Sequence, residues 1–264
     1  MREIGGSMEF FDSHSHYNDE KFDQDREAII EETYQAGITK WICAGYNISS
    51  SQKAVELATN YPFIYAIAGI SPNDITQKEK IEKEIEKIEE IAKHPKVVAI
   101  GEIGLDYYWN KDNKDLQKEY FRKQIELANK MDLPIVIHSR DASIDTIAML
   151  KENPPKKKGV LHCVQLNQEL IKQAINLGFY LSFAGPITFK NAKNVSEILK
   201  LVPLEKILIE TDSPYLTPEP NRGKRNDSRN VIYVAQKIAE VKQKSLEEIA
   251  TSTYQNAKKI FAIK

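Results

Sequence analysis

The chain has 264 residues, 41% hydrophobic and 28% charged, with 37 Lys and Arg against 38 Asp and Glu. This excludes a disulfide-stapled miniprotein and a disordered chain, and suits one large barrel or two ordinary domains. A formal net charge of −1 excludes a globally basic protein held to nucleic acid by bulk charge, so such a contact would need a local basic rim.

Met1–Ser7 is polar, lacks the apolar core of a signal peptide and precedes a second methionine, Met8. It reads as a leader ahead of one folded unit, residues 8–264. No run approaches the roughly 20 apolar residues of a membrane span. Cys43 and Cys163 sit in apolar runs without CxxC spacing, as buried thiols of a reducing compartment do. The expectation is a cytoplasmic protein without a membrane partner, and no obligate protein partner is legible.

From Met8 onward, β-rich runs alternate with helix-period runs. The strand-like runs are Met8–Ser13, Thr39–Gly45, Phe63–Ile70, Val97–Glu102, Pro134–His138, Gly159–Cys163, Phe179–Phe183 and Ile207–Asp212. They are nearly continuous in apolar residues, as strands covered on both faces of a parallel sheet are. Between them, Ile81, Ile85, Ile88 and Ala92 mark one helical stripe, and Phe121, Ile125 and Ala128 another. The seven steps from Met8 to Ile207 average about 28 residues, ordinary for a (β/α)8 barrel of about 250. No GxGxxG or GxxxxGK[ST] follows the first strand, which removes the doubly wound alternative. After strand 8 come a Pro-rich loop and two extra C-terminal helices, about Arg229–Lys242 and Ser245–Phe261, the second opened by a Ser245–Glu248 capping box.

Barrel chemistry sits at the carboxyl ends of the strands. His14 and His16 end strand 1, Glu102 strand 4, His138 strand 5, His162 strand 6 and Asp212 strand 8. The i, i+2 spacing of His14 and His16 places both on one side of an extended chain. Val98 and Ile100 share the parity of Glu102, Val136 that of His138 and Val160 that of His162, which aims the polar groups into the barrel mouth above branched residues. One such histidine alone is usually a satisfied hydrogen-bonding residue; six metal-type side chains at strand ends are a ligand set. Six exceed the need of one tetrahedral ion, so two divalent ions bridged by Glu102 are expected. The donors suit Zn, Mn, Fe, Co or Ni better than Mg alone. Such ions acidify a water and polarise the bond under attack. Asp212, placed across the mouth from the His14–His16 pair, would bind an ion and accept the water's proton.

Six long motifs stand in order along the chain: DSHSH, GEIGLDYY, IHSRDA, LSFAGPITFKNA, IETDSPYLTP and RGKRND. On these the chain resembles the TatD family of metal-dependent deoxyribonucleases, within the amidohydrolase superfamily, from Met8 to the C-terminus. The resemblance implies a (β/α)8 barrel with a divalent-metal centre and hydrolysis of DNA phosphodiesters, often as a 3′→5′ exonuclease. It places the metal ligands on His14, His16, Glu102, His138, His162 and Asp212, the six already selected. The wider superfamily often bridges with a carboxylated lysine; this chain has Glu102, as TatD-like proteins do. Three departures stand out: Ser71 in GISPND where the family commonly has His, Val164–Asn167 after His162 in place of Phe-Ser-Gly, and Ser228 in place of Pro, expected to affect only the start of a helix.

The substrate classes are DNA, a small molecule cleaved at a C–N, ester or phosphoester bond (with an aminoacyl-tRNA deacylase between these), or none, in a binding protein that kept the fold. DNA is favoured by Arg222, Lys224 and Arg225 after strand 8, which could hold phosphates, and by Tyr107, Tyr108 and Trp109 after strand 4, which could stack a base. Lys156–Lys158 precede strand 6 and fall at the other end of the barrel. An intact ligand set opposes the binding-protein reading.

Overall fold

Branched apolar residues favour a pleated backbone buried on both sides, and here eight such runs form a closed ring of parallel strands. The computed structural model describes residues 8–75 and 77–264, so the expected leader lies outside the described residues. The strands are β1 (Phe10–Ser15), β2 (Ile38–Ala44), β3 (Ile64–Ala68), β4 (Val97–Asp106), β5 (Ile135–Arg140), β6 (Gly159–Leu161), β7 (Tyr180–Phe183) and β8 (Ile207–Ile209). They pair in sequence order, each parallel to the next. Beyond the end of β8, Asp212 N–H donates to His14 O (3.0 Å) and His16 N–H to Ser213 O (2.7 Å), which closes the ring against β1.

Helices α1 (Arg26–Gln35), α2 (Ile48–Asn60), α3 (Ile81–Ala92), α4 (Lys114–Met131), α5 (Ser143–Glu152), α6 (Gln168–Asn176) and α7 (Val195–Leu201) fill the connections, and α8 (Val231–Lys242) and α9 (Leu246–Ile260) follow the barrel. Ile81, Ile88 and Ala92 of α3 and Phe121, Ile125 and Ala128 of α4 are buried as their spacing requires. The capping box of α9 forms by half: Ser245 Oγ accepts from Glu248 N–H, but the Glu248 carboxylate pairs with Lys244. Among the described residues no helix is long and apolar enough to cross a membrane.

Two apolar layers separate cleanly. Phe11, Ile42, Ile67, Val98, Val136, Val160 and Leu208 fill the barrel interior, with Phe261 and Ile263 packed beneath them. Each such side chain contributes about 1.5–3 kcal/mol on burial. The other layer lies between strands and helices, and it includes Ile100, expected on the inner face. Val98 and Ala99 both belong to the interior layer, and the β3–β4 register shifts at that point. A second shift falls between Ile100 and Ile103 in the β4–β5 pairing. One extra residue at each irregularity reverses the alternation. Ile100 therefore turns outward and Glu102 still reaches the mouth.

Candidate metal centre

Strand length decides where the polar groups sit. β1 runs on to Ser15 and β4 to Asp106, so His14 and Glu102 lie within strands. β6 stops at Leu161 and β8 at Ile209, so His162 and Asp212 are carried just beyond. Asp212 has φ 55°, a left-handed backbone that Asp tolerates better than most residues. All six expected ligands converge. Asp212 is beside the β1 histidines rather than across from them, with His16 Nε2 3.1 Å from Asp212 Oδ1, because ring closure makes β8 the neighbour of β1.

Glu102 divides the cluster between its two oxygens. Oε2 lies 3.4 Å from His14 Nε2 and 3.7 Å from His16 Nε2. Oε1 lies 3.0 Å from His138 Nδ1 and 3.5 Å from His162 Nε2. Within each half the imidazole nitrogens face one another, at 3.3 Å for His14–His16 and 3.2 Å for His138–His162. Bonds of about 2.1 Å to a tetrahedral ion give donor–donor edges of about 3.4 Å, and these separations lie around that value. The donor set fits divalent ions.

The far sides of three rings explain why the near nitrogens face inward. His16 Nδ1 bonds Ala44 O (3.0 Å), His138 Nε2 bonds Asp106 Oδ2 (2.9 Å) and His162 Nδ1 bonds Glu210 Oε1 (3.3 Å). An oxygen acceptor there holds the proton on the outer nitrogen and leaves the inner lone pair for a cation. Asp106 and Glu210, both fully buried, were not singled out in the sequence. Their signal was parity: Glu210 is two residues before Asp212, and Asp106 lies four after Glu102 on the same strand.

Asp12 is a further missed residue. Its buried carboxylate accepts the backbone N–H of His14 (3.2 Å) and Thr211 (3.0 Å) and the hydroxyls of Thr211 and Ser228. Burial pushes it up to about 7 against those hydrogen bonds. Ser228 thus does more than start a helix: its hydroxyl reaches the carboxylate that ties β1 to the β8 loop.

Charge follows geometry. Burial raises Glu102, but the His162 charge and hydrogen bonds from His138, His14 and His162 hold it well below the usual carboxylate range. Asp212 is held low against burial chiefly by His16. Burial would lower His16, His138 and His162, and their carboxylate neighbours raise all three instead. His14 is lowered by burial and by the His162 charge.

The centre floors a cavity of about 730 Å³ whose wall includes Asn73, Trp109, Arg140, Cys163, Ile187 and Tyr215. The three expected substrate contacts lie outside this wall. Tyr107 is buried, and its hydroxyl donates to Asp145 (2.6 Å) in an adjoining groove. Arg222 lies on the Phe189 ring at 4.0 Å. Arg225 is bound by the Asp25 carboxylate (2.8 and 2.6 Å) and Lys21 O (2.8 Å), so an acidic partner already holds its charge. Ser71 is also absent from this wall, and its hydroxyl donates to Asp74 (3.1 Å). Cys43 and Cys163 are free thiols.

Comparison with known proteins agrees with this arrangement. The model of a family described as TatD related DNase matches residues 11–262. The chain is 45% identical over 254 residues to the uncharacterized metal-dependent hydrolase YabD of Bacillus subtilis, covering 96% of this chain and 99% of that protein. It superposes on the crystal structure of YjjV, a TatD homologue from Escherichia coli K12, with a TM-score of 0.90 and 26% identity, covering 97% of this chain and 98% of that one. A guanine deaminase from C. acetobutylicum shares the fold alone, at 13% identity and TM-score 0.62 over 96% of this chain and 73% of its own. The chain belongs to the TatD-related DNase family of metal-dependent hydrolases.

Proposed function

We propose that the protein is a deoxyribonuclease that hydrolyses DNA phosphodiesters from the 3′ end, with two divalent ions at the mouth of the barrel. The observation that carries the two-ion centre is the division of Glu102, one oxygen facing His14 and His16 and the other facing His138 and His162, and DNA as the substrate is supported by the match to the family described as TatD related DNase. One ion would be held by His14, His16, Glu102 and Asp212, the other by Glu102, His138 and His162, leaving the second half short of a fourth protein ligand. When bound, such ions supply an acidified water and neutralise charge developing on the phosphate.

The chain's own residues do the rest. Ala44 O, Asp106 and Glu210 hold three imidazoles in the tautomer that presents a lone pair inward. Asp212 is ionised across the neutral range, with Oδ1 turned to His16. Its Oδ2 takes no hydrogen bond among the described residues and is available to accept a proton from the attacking water. The cavity is of a size that takes a nucleotide-sized group, and the exposed Trp109 on its wall supplies a flat apolar surface for an unpaired base. A reducing, cytoplasmic setting is part of the same proposal.

The test is direct. Metal-loaded protein is incubated with 5′-labelled single- and double-stranded DNA, with and without chelator, beside a simple ester and an amide. A ladder of shortened products that chelator abolishes supports the reading. Turnover of ester or amide with DNA untouched would move the protein to the small-molecule hydrolases.

A further inference from the structure

Arg140 stands two residues after His138 on β5, so both side chains leave the strand on the cavity side. Its guanidinium lies over the Tyr108 ring at 4.0 Å and the Trp109 ring at 5.6 Å. Tyr108 and Trp109 are 47% and 66% exposed, a costly display of aromatic residues beside the cavity. The other arginines considered for substrate lie outside the cavity wall: Arg225, paired with Asp25, and Arg222, stacked on Phe189. Arg140 differs. Among the described residues no carboxylate pairs with it, and it lines the cavity that holds the metal ligands. A guanidinium stacked by its face on aromatic rings keeps its edge, with the N–H fork, free for a phosphate.

We propose that Arg140, laid on Tyr108 and Trp109, is the residue that binds a substrate phosphate next to the scissile one, with Trp109 stacking the adjoining base. This rests on the nuclease reading and replaces the basic loop after β8 as the source of phosphate contact.

The experiment uses metal-loaded protein and a phosphorothioate-linked oligothymidine that resists hydrolysis, with intrinsic fluorescence as the signal. Of the two tryptophans, Trp41 is fully buried and Trp109 is 66% exposed, so quenching on binding reports Trp109 and disappears in Trp109→Phe. Arg140→Gln should weaken binding about tenfold, and the slope of log affinity against log salt should become shallower by about 0.7, one single-strand phosphate contact. Arg140→Lys should restore the slope but not the full affinity, because the charge returns without the planar fork. Lys157→Ala, the same charge loss at the opposite end of the barrel, should leave the slope unchanged. Melting temperature and metal content are read for each variant. An unaltered slope in Arg140→Gln, or an equal change in Lys157→Ala, overturns the assignment while the parent's DNA cleavage leaves the nuclease reading standing. A parent that neither binds nor cleaves the oligonucleotide overturns both.

Discussion

Replacing Asp106 by Asn tests whether the partners behind the metal ligands set the centre. Asp106 Oδ1 accepts the backbone N–H groups of Tyr108 and Trp109, both at 2.9 Å, while Oδ2 accepts His138 Nε2 at 2.9 Å and Asn73 Nδ2 at 3.2 Å. Burial would raise this carboxyl, but the His138 and Trp109 donors outweigh it and bring it down to about 2. The two backbone donors cannot turn, so the Asn oxygen must stay with them and its NH2 must face His138. A donor there meets the Nε2 proton. The ring escapes by moving that proton to Nδ1, the atom 3.0 Å from Glu102 Oε1 that would bind the ion. Removing such a partner costs tenfold to a hundredfold in metal affinity or activity, or about 1.4–2.7 kcal/mol. Calorimetric titration of the chelated protein with Zn or Mn should show the weaker of two binding events lose that amount and the other stay near the parent. Raising the metal concentration should recover part of the rate. Two affinities within about twofold of the parent would refute the tautomer argument.

Glu102→Gln should take up at most one divalent ion per chain against two for the parent, read by elemental analysis after dialysis; full double occupancy would remove the bridging role. Asp212→Asn keeps the left-handed backbone and one oxygen donor but loses the proton acceptor, so kcat should fall by about 10²–10⁴ with metal binding less affected. Activity within a few-fold of the parent at saturating metal would leave Asp212 a ligand only. Metal affinity should rise with pH. His16, His138 and His162 are raised above the ordinary imidazole value of 6.5, so protons compete with the ion at and above that pH and are released when it binds. Calorimetry in buffers of different ionisation enthalpy checks this, and no proton release at pH 7 would contradict it.

The barrel and the six side chains that converge at its mouth were legible in the sequence because both depend on local signals. Runs such as Val97–Glu102 and Pro134–His138 are apolar enough to be strands buried on both faces, and the metal-type side chains stand where those runs end. Parity served well where strands were regular: Val136 and Val160 fill the interior. It failed at Ile100, since an extra residue in a parallel pairing is set by the neighbouring strands and leaves no mark on composition. Closure of the ring decided that Asp212 stands beside His16. Packing decided which cation faces the cavity: Arg225 is taken by Asp25, some 200 positions away in the chain, while Arg140 rests on Tyr108 and stays free. The oxygens that orient the rings, from Ala44, Asp106 and Glu210, come from other strands than their histidines. Residue type and period along one strand state what a side chain is and which way it tends to point. Which of its atoms meets which partner depends on contacts between distant segments, and only the folded chain contains them.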